Sequence, residues 1–344
     1  MKFKAAVLIE QNKPLETIEI EIPKLSFGQV LVKLHCSGVC GSQIGEIKGV
    51  KGPDKYLPHL LGHEGAATVL ECGEGVKTLA PDNKVVLHWR PGEGLQGEPP
   101  LYFSPDLGKI NAGWVTSFNE YAVISENRLT PIDSDIDNVS AAMLGCAALT
   151  GIGVVNNNAK VKIGESVLIL GAGGIGLNMV QAAKMAGAYP IIAVDIFQNR
   201  IELAKELGAT HAIMGNDLEH VKEEVKKICG EVDVAIDNTG CPKVIEAAYS
   251  ISSKCGRIIL VGVPAKNQNA SIYTLPLHFG KILTGSHGGE ANPAEDIPRY
   301  TKLLKAELLD FSKLIAQHYP LEDINSAIND MESGKVAGRC IIDM

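Results

Sequence analysis

The stretch from about residue 150 to 287 alternates apolar strands with amphipathic helices, and this alternation constrains the fold more than any other feature. The segments SVLILGAG, PIIAVDI and GRIILVGVP are rich in Val, Ile and Leu, whereas IGLNMVQAAKMAG and NRIELAKELGA place apolar residues at helical spacing. Strands that alternate with helices of this length form βαβ units around a parallel sheet. The sequence therefore predicts an α/β chain in which residues 149–287 form a doubly wound, parallel-sheet domain.

The first part of the chain is predicted to be β-rich. Five short segments dense in Val, Ile and Leu are separated by Gly, Pro, Asn and Asp, namely AAVLIE, QVLVKLHCSG, GAATVLECG, NKVVLHW and EYAVIS. Residues 90–113 interrupt this pattern with many Gly and Pro residues and no helical period, so we expect a long exposed loop there. The chain after residue 288 returns to mixed character and is expected to rejoin residues 1–148 in one domain.

A glycine-rich turn lies where the strand SVLIL ends and the next helix begins, and it contains Gly171, Gly173, Gly174, Ile175 and Gly176. In a Rossmann domain such glycines allow a tight turn and let the backbone approach a pyrophosphate, which the helix N-terminus attracts.

The acidic residue that such a domain needs is also present. Asp195 ends the strand that follows the glycine-rich turn and its helix. An acid there accepts hydrogen bonds from the adenine ribose and repels a 2′-phosphate. The pattern predicts NAD binding. Arg200 is the one complication, because an arginine there can pair with a 2′-phosphate and so favour NADP, but in this register we expect it to lie beside the adenosine.

Composition excludes several classes of protein. A length of 344 residues suggests about two domains. The formal net charge of −8, without a basic stripe, argues against a nucleic-acid partner. No apolar run is long enough to span a membrane, and the N-terminus lacks the pattern of a secretory signal, so we expect a cytoplasmic protein. The eight cysteines are scattered and are expected to be reduced.

Cys40, His63 and Cys146 are the candidate metal ligands. Two cysteines and one histidine form a ligand set of catalytic zinc, whose open fourth position takes water or a substrate oxygen. Spacing alone does not assign them, because the residues are 23 and 83 positions apart rather than clustered. On the residues alone, buried core thiols and a hydrogen-bonded core histidine remain the alternatives.

Several motifs resemble the zinc-containing medium-chain alcohol dehydrogenases. The matching segments, in chain order, are GVCGS, GHEGAATVLECGEGV, GCAALTGIGVV, VLILGAGGIGLNMVQAAKMAGA, IIAVD, GRIILVGVP and SGKVAGRCII. The resemblance covers nearly the whole chain. It implies a GroES-like catalytic domain formed by residues 1–148 and 288–344, together with a Rossmann NAD-binding domain.

The resemblance also implies roles for residues near the metal. Cys40, His63 and Cys146 match the ligands of one catalytic zinc. Glu64 matches a carboxylate close to that metal, and Ser42 matches the hydroxyl that takes the proton of the substrate alcohol.

Further residues are implied to contact the cofactor. Val261 and the backbone of Gly262 match positions along the nicotinamide, and Arg339 matches an arginine that reaches the pyrophosphate. Because relatives assemble through the nucleotide-binding domain, a homodimer or homotetramer is expected.

Three departures from the family pattern qualify these roles. No cysteine lies between Cys72 and Cys146, so the structural zinc of many relatives is expected to be absent. Gly45 replaces a histidine that often relays protons, which leaves the proton path beyond Ser42 open. Gln43 replaces an aspartate that orients the histidine ligand, so zinc affinity is expected to be lower.

The leading hypothesis is a zinc-dependent alcohol dehydrogenase that transfers a hydride between NAD and a primary or secondary alcohol. The polar character of residues 90–113 favours a polyol or sugar-derived alcohol. The alternatives are a zinc-free reductase of the same superfamily and a non-catalytic NAD-binding protein.

Overall fold

The structure is a computed structural model that describes all 344 residues, and it divides into two compact units. The first unit contains Met1–Cys146 and Asn292–Met344, and the second contains Ala147–Ala291. These divisions lie close to the predicted boundaries. No single helix is long and apolar enough to cross a membrane, and Asn138–Leu144 and Ala147–Asn158 reach that length and apolarity only when taken together.

Short strands dominate the chain up to Cys146, as predicted from its apolar segments. Two seven-residue helices also occur, α1 (Gly41–Ile47) and α2 (Asn138–Leu144). The strands are β1 (Lys2–Leu8), β2 (Glu16–Glu21), β3 (Gln29–Gly38), β4 (His59–Leu60), β5 (Gly65–Cys72), β6 (Lys84–Leu87), β7 (Tyr102–Ser104), β8 (Gly108–Ile110), β9 (Tyr121–Ser125) and β10 (Leu129–Pro131).

The second unit alternates strands and helices. Helix α3 (Ala147–Gly153) continues as a π-helical turn, Val154–Asn158, and precedes the first strand. The remaining elements are β11 (Val167–Leu170), α4 (Gly174–Met185), β12 (Ile191–Asp195), α5 (Gln198–Leu207), β13 (His211–Met214), α6 (Leu218–Cys229), β14 (Val232–Asp237), α7 (Pro242–Ile251), β15 (Ser252–Leu260) and β16 (Ile282–Gly285).

The C-terminal segment, Asn292–Met344, returns to the first unit. Its elements are α8 (Pro293–Lys305), β17 (Ile315–Pro320), α9 (Ile324–Glu332) and β18 (Arg339–Asp343). Strand β18 pairs antiparallel with the end of β3, where Ile341 lies opposite Gly38 and Asp343 lies opposite Cys36. The C-terminal strand therefore reaches the turn that leads into α1.

The first unit contains two sheets. A seven-stranded sheet has the order β10-β6-β5-β3-β18-β17, with β9 paired to the first half of β3. A five-stranded sheet has the order β4-β1-β2-β7-β8. The long strand β3 is central because β5, β9 and β18 all pair with it.

The second unit has one six-stranded parallel sheet of order β13-β12-β11-β14-β15-β16. Numbered within the unit, this is the 3-2-1-4-5-6 order of a dinucleotide-binding fold. Apolar residues on its central strands are fully buried, as in Leu168, Ile192 and Ala235. The predicted α/β class with a doubly wound parallel sheet is confirmed.

The prediction of a long exposed loop over residues 90–113 holds for residues 90–101, which contain no helix or strand and are mostly exposed or half-buried, but it is wrong for the rest of the segment. Strands β7 and β8 form a hairpin within this segment, and Phe103 of β7 pairs with Glu21 of β2. Tyr102 is buried, and its hydroxyl oxygen accepts a hydrogen bond from the backbone of Val123 at 2.7 Å. Because β2 is distant from β7 in the chain, local composition did not reveal the pairing.

The carboxylate of Glu126 holds the start of this segment in place. Its Oε1 accepts hydrogen bonds from the backbone N–H of Lys77 at 2.7 Å and from the N–H and hydroxyl of Thr78 at 2.8 Å. Its Oε2 accepts from the backbone of Leu95 at 2.7 Å. Burial opposes ionisation of Glu126, but these hydrogen bonds outweigh it and hold the pKa of the carboxyl below its usual range.

Replacing Glu126 with Gln is expected to destabilise the protein by about 2 kcal/mol or more at pH 7. The amide oxygen can accept from Lys77 and Thr78 or from Leu95, but not from both groups. The amide nitrogen then faces the N–H groups that the oxygen does not serve. The free energy of unfolding, measured with denaturant, checks this. The exposed Glu71→Gln variant serves as the control.

The difference in free energy of unfolding between the wild type and Glu126→Gln should also depend on pH. Because the folded pKa of Glu126 is lowered, its stabilisation is present above about pH 4.5 and is lost as the pH falls through the folded pKa. A difference that stays constant into acid, or no difference at pH 7, would contradict this role.

Candidate metal centre and cofactor site

The three predicted metal ligands come together within the first unit. Cys40 follows β3 and precedes α1, His63 lies between β4 and β5, and Cys146 follows α2. Their Sγ and ring nitrogen atoms all lie within 4.8 Å of one another. The sequence motifs thus select residues that the fold places in one cluster.

The cluster geometry suits a small divalent ion. The two Sγ atoms of Cys40 and Cys146 are 4.0 Å apart, and Nε2 of His63 lies 3.2 Å from Sγ of Cys146. Both cysteines are buried, with 4% of each residue exposed, and His63 is half-buried. Two thiolates and an imidazole are a ligand set that zinc prefers.

Glycine at position 145 lets Cys146 reach this cluster. A Cβ atom there would lie 2.1 Å from the carbonyl oxygen of Leu87 and 3.0 Å from the Cα atom of Glu64. No side chain fits at that distance. Helix α2 therefore packs closely on β5 and β6 only because residue 145 is glycine.

The surroundings of the two thiols shift their pKa values in opposite directions. The pKa of Cys40 lies well below its usual range because Cys146 donates a hydrogen bond to it; burial opposes this, but Arg339 and His63 add to it. The hydrogen bond to Cys40 and burial raise the pKa of Cys146. Ionisation of Cys40 is therefore favoured over that of Cys146, and a metal bound here would displace the protons that remain on the thiols.

A buried ion pair lies beside the cluster. The guanidinium Nε of Arg339 is 3.4 Å from Oε1 of Glu64, and both residues are buried. Arg339 also donates to the carbonyl oxygen of Val39 at 2.9 Å and to Sγ of Cys40 at 3.6 Å. The structure thus places Glu64 next to the cluster, and it places Arg339 there as well; the contact of Arg339 with a pyrophosphate stays a prediction.

A second group of polar residues lies on the same unit as Ser42. Ser42 is exposed on α1. Glu46 lies on the next turn of that helix, and Asp54 and His59 join Glu46 in a cluster whose side-chain oxygen and nitrogen atoms lie within 4.8 Å of one another. The pattern of the sequence did not reveal this group, because its members come from a helix, a loop and a strand.

In the second unit the glycine-rich turn has the predicted shape. Gly171 has φ +97°, and a Cβ atom on Gly176 would lie 2.0 Å from the carbonyl oxygen of Gly171. A Cβ atom on Gly173 would meet no atom within 4 Å, which leaves open space over the turn. Helix α4 begins at Gly174 without a side-chain cap, so its first N–H groups suit a phosphate.

Asp195 lies at the end of β12, next to this turn. Its Oδ2 accepts a hydrogen bond from Ala172 at 2.8 Å, and its Oδ1 accepts one from Phe197 at 3.1 Å. Arg200 lies 3.8 Å from the same carboxylate and stacks over the ring of Phe197. The structure therefore brings both predicted adenosine contacts to the edge of the glycine-rich turn.

Val261 and Gly262 follow β15 directly. Both backbone N–H groups donate to the carbonyl oxygen of Asp237. A Cβ atom on Gly262 would lie 2.1 Å from the nitrogen of Gly240, so the two loops after β14 and β15 are closely packed. The pair lies at the carboxyl end of the parallel sheet, where such folds bind ligands.

Comparison with known proteins agrees with this geometry. Residues 26–134 match the alcohol dehydrogenase GroES-like domain, and residues 174–306 match the zinc-binding dehydrogenase family. An S-(hydroxymethyl)glutathione dehydrogenase of Escherichia coli is 30% identical over 362 residues, covering 97% of this chain and 98% of that protein. The chain belongs to the zinc-type medium-chain alcohol dehydrogenases. It is thus an oxidoreductase by family, and the predicted resemblance is confirmed.

Solved structures of this family share the whole fold. A zinc-binding-domain alcohol dehydrogenase from Burkholderia ambifaria matches with a TM-score of 0.91 and 29% identity over 100% of this chain and 99% of that one. Benzyl alcohol dehydrogenase from Acinetobacter calcoaceticus matches with a TM-score of 0.90 and 28% identity at the same coverage. The dehydrogenase therefore has the GroES-like and Rossmann parts that its motifs predict.

The residue that orients His63 in this dehydrogenase is Gln43. Its Oε1 accepts a hydrogen bond from the backbone N–H of Cys40 at 3.0 Å, and its amide nitrogen faces Nδ1 of His63. Binding a metal through Nε2 requires a hydrogen on Nδ1. The amide nitrogen of Gln43 and Nδ1–H of His63 are then two hydrogen-bond donors that face each other. If the amide oxygen and nitrogen are exchanged, the amide nitrogen instead faces the backbone N–H of Cys40, so two donors still face each other.

Replacing Gln43 with Glu is therefore expected to tighten zinc binding about 10-fold. The carboxylate has the same length as the amide but accepts from both Cys40 and His63. Competition of the purified dehydrogenase with a chromophoric chelator measures the affinity without reference to turnover. Gln317→Glu, on the exposed face of β17, should leave the affinity unchanged, and an unchanged or weaker affinity of Gln43→Glu would contradict the argument.

Proposed function

We propose that this protein is an alcohol dehydrogenase with one catalytic zinc per chain and no structural zinc, and that it transfers a hydride between NAD and a primary or secondary alcohol. The observation that carries the proposal is the convergence of Cys40, His63 and Cys146, three residues distant in sequence, into one ligand cluster. The polar composition of residues 90–113 favours a polyol or sugar-derived alcohol within that substrate class.

Each part of the site has a role in this reaction. Cys40, His63 and Cys146 would hold the zinc, which when bound supplies Lewis acidity at the alcohol oxygen. Glu64 keeps Arg339 against Cys40, so that positive charge remains near the thiolates. Oxidation of the alcohol yields a carbonyl compound, the reduced cofactor and one proton.

The proton and the cofactor are handled by other residues. Ser42 is the proposed first acceptor of the alcohol proton, because it lies exposed just beyond Cys40 in the chain. The turn from Gly171 to Gly176 would bind the pyrophosphate, and Asp195 would accept hydrogen bonds from the adenine ribose. Val261 and Gly262 would line the nicotinamide.

The proposal includes a cytoplasmic homodimer or homotetramer that assembles through the second unit. Strand β16 lies at the edge of the six-stranded sheet. Large apolar residues within β16 and in the segment that precedes it in the chain are exposed, with 47% of Ile282, 70% of Tyr273 and 72% of Phe279 accessible. An open edge strand with apolar surroundings favours association with a second copy.

Turnover with an alcohol panel before and after chelation tests the proposed function. The panel contains benzyl alcohol, a polyol and S-(hydroxymethyl)glutathione, and NADH formation is the readout. We expect turnover that a chelator abolishes and zinc restores. Turnover that survives loss of zinc would instead support a zinc-free reductase, and cofactor binding without turnover of any alcohol would support a non-catalytic protein.

The Asp195→Asn variant tests the preference for NAD. Loss of the carboxylate removes hydrogen-bond acceptors for the ribose and the repulsion of a 2′-phosphate. The ratio of kcat/KM for NAD to that for NADP is therefore expected to fall about 10- to 100-fold. The exposed Glu202→Gln change on α5 is the control, and a wild-type enzyme that prefers NADP would contradict the assignment.

A further inference from the structure

The turn of α1 that carries Ser42 has a second oxygen-bearing side chain on the same face. Ser42 and Glu46 lie one helical turn apart within α1, so their side chains lie one above the other. Position 45, which shares this face, is a glycine and offers no proton acceptor. Glu46 is therefore the first titratable group along the helix after Ser42.

Glu46 is held near a buried histidine. Its Oε1 lies 3.9 Å from Nε2 of His59, whose side chain is only 8% exposed. The same Nε2 lies 2.8 Å from Oδ2 of Asp54, and Nδ1 of His59 lies 2.9 Å from the carbonyl oxygen of Leu60. A carbonyl oxygen only accepts, so Nδ1 carries a hydrogen, and Nε2 faces the carboxylates of Asp54 and Glu46.

The charges around Glu46 act in opposite directions. Burial raises the pKa of Glu46, and the negative charge of Asp54 adds to that rise. His59, His63 and Lys51 oppose it. The net effect is a pKa above the ordinary glutamate value, which brings the carboxylate closer to the range in which a proton acceptor works well near neutral pH.

Glu46 also reaches water. Its side chain is 47% exposed, although its carboxylate lies beside the buried His59. A group with one side toward Ser42 and another toward solvent can take a proton from the first and release it to the second. Asp54 fixes His59, since its other oxygen accepts from the backbone of Tyr56 at 2.8 Å.

We propose that Glu46 is the proton acceptor that follows Ser42 in alcohol oxidation, with the His59–Asp54 pair holding its carboxylate in position. The inference rests on the proposed function. As the hydride leaves the alcohol carbon, the hydroxyl proton passes to Oγ of Ser42, and the proton of Ser42 passes to Glu46 directly or through one water. Glu46 then releases that proton to solvent, and reduction of a carbonyl compound uses the same path in reverse.

The Glu46→Gln variant tests this path by its pH profile. In the wild type, kcat for alcohol oxidation should rise as Glu46 ionises, and the variant should lose that rise together with on the order of 100-fold in kcat. KM should change little, and added imidazole buffer should restore part of the rate. The control is Glu19→Gln, on the exposed face of β2. A variant with the wild-type pH profile would overturn the proposal while leaving the proposed function intact.

A double variant shows whether Ser42 and Glu46 act in one path. If they do, Ser42→Ala combined with Glu46→Gln should be about as slow as the slower single variant, because the path is already broken. If the fold-reductions in rate of the two single variants multiply in the double variant, Glu46 acts separately from Ser42, which contradicts the proposal.

Carbon-13 NMR titration of the Glu46 carboxyl gives a readout that does not depend on turnover. The signal is assigned by its loss in Glu46→Gln. It should titrate above the ordinary glutamate pKa and move further up in His59→Asn, because His59 opposes the rise of the Glu46 pKa. An ordinary glutamate titration in the wild type would overturn the proposal, even if His59→Asn does not fold.

Discussion

The ion pair of Arg339 and Glu64 is the interaction on which the metal-binding unit depends. Arg339 begins the C-terminal strand β18, and Glu64 directly precedes β5. Both are buried, and loss of one partner from a buried ion pair costs about 3–5 kcal/mol. Residues from distant parts of the chain must therefore be in place together before the surroundings of Cys40 are complete.

This pair also sets the charge of the candidate metal centre. Two thiolates and the Glu64 carboxylate, against one guanidinium, leave an excess of two negative charges when Cys40 and Cys146 are both ionised. A divalent cation bound by these residues would neutralise that excess. The excess negative charge of Cys40, Cys146 and Glu64 therefore favours a dication over a monovalent cation at this cluster.

Local and long-range interactions explain how far the sequence predicts this structure. The turn from Gly171 to Gly176 and the position of Asp195 are readable because one strand, one turn and one helix determine them. The hairpin of β7 and β8 and the anchoring of Leu95 within residues 90–113 were not predicted, because they depend on β2 and Glu126, which are distant in the chain. The sequence shows that Gln43 departs from the family pattern. It does not show that the Gln43 amide lies between the N–H of Cys40 and the ring of His63, where both neighbours need an acceptor.

X-ray absorption at the zinc edge of the purified protein tests the central claim most directly. The account predicts one zinc per chain with two sulfur ligands at about 2.3 Å and a nitrogen ligand at about 2.0 Å. Replacing Cys146 with Ser should remove one sulfur from that shell. A shell of four sulfurs, or one that contains no sulfur, would contradict the assignment of Cys40, His63 and Cys146.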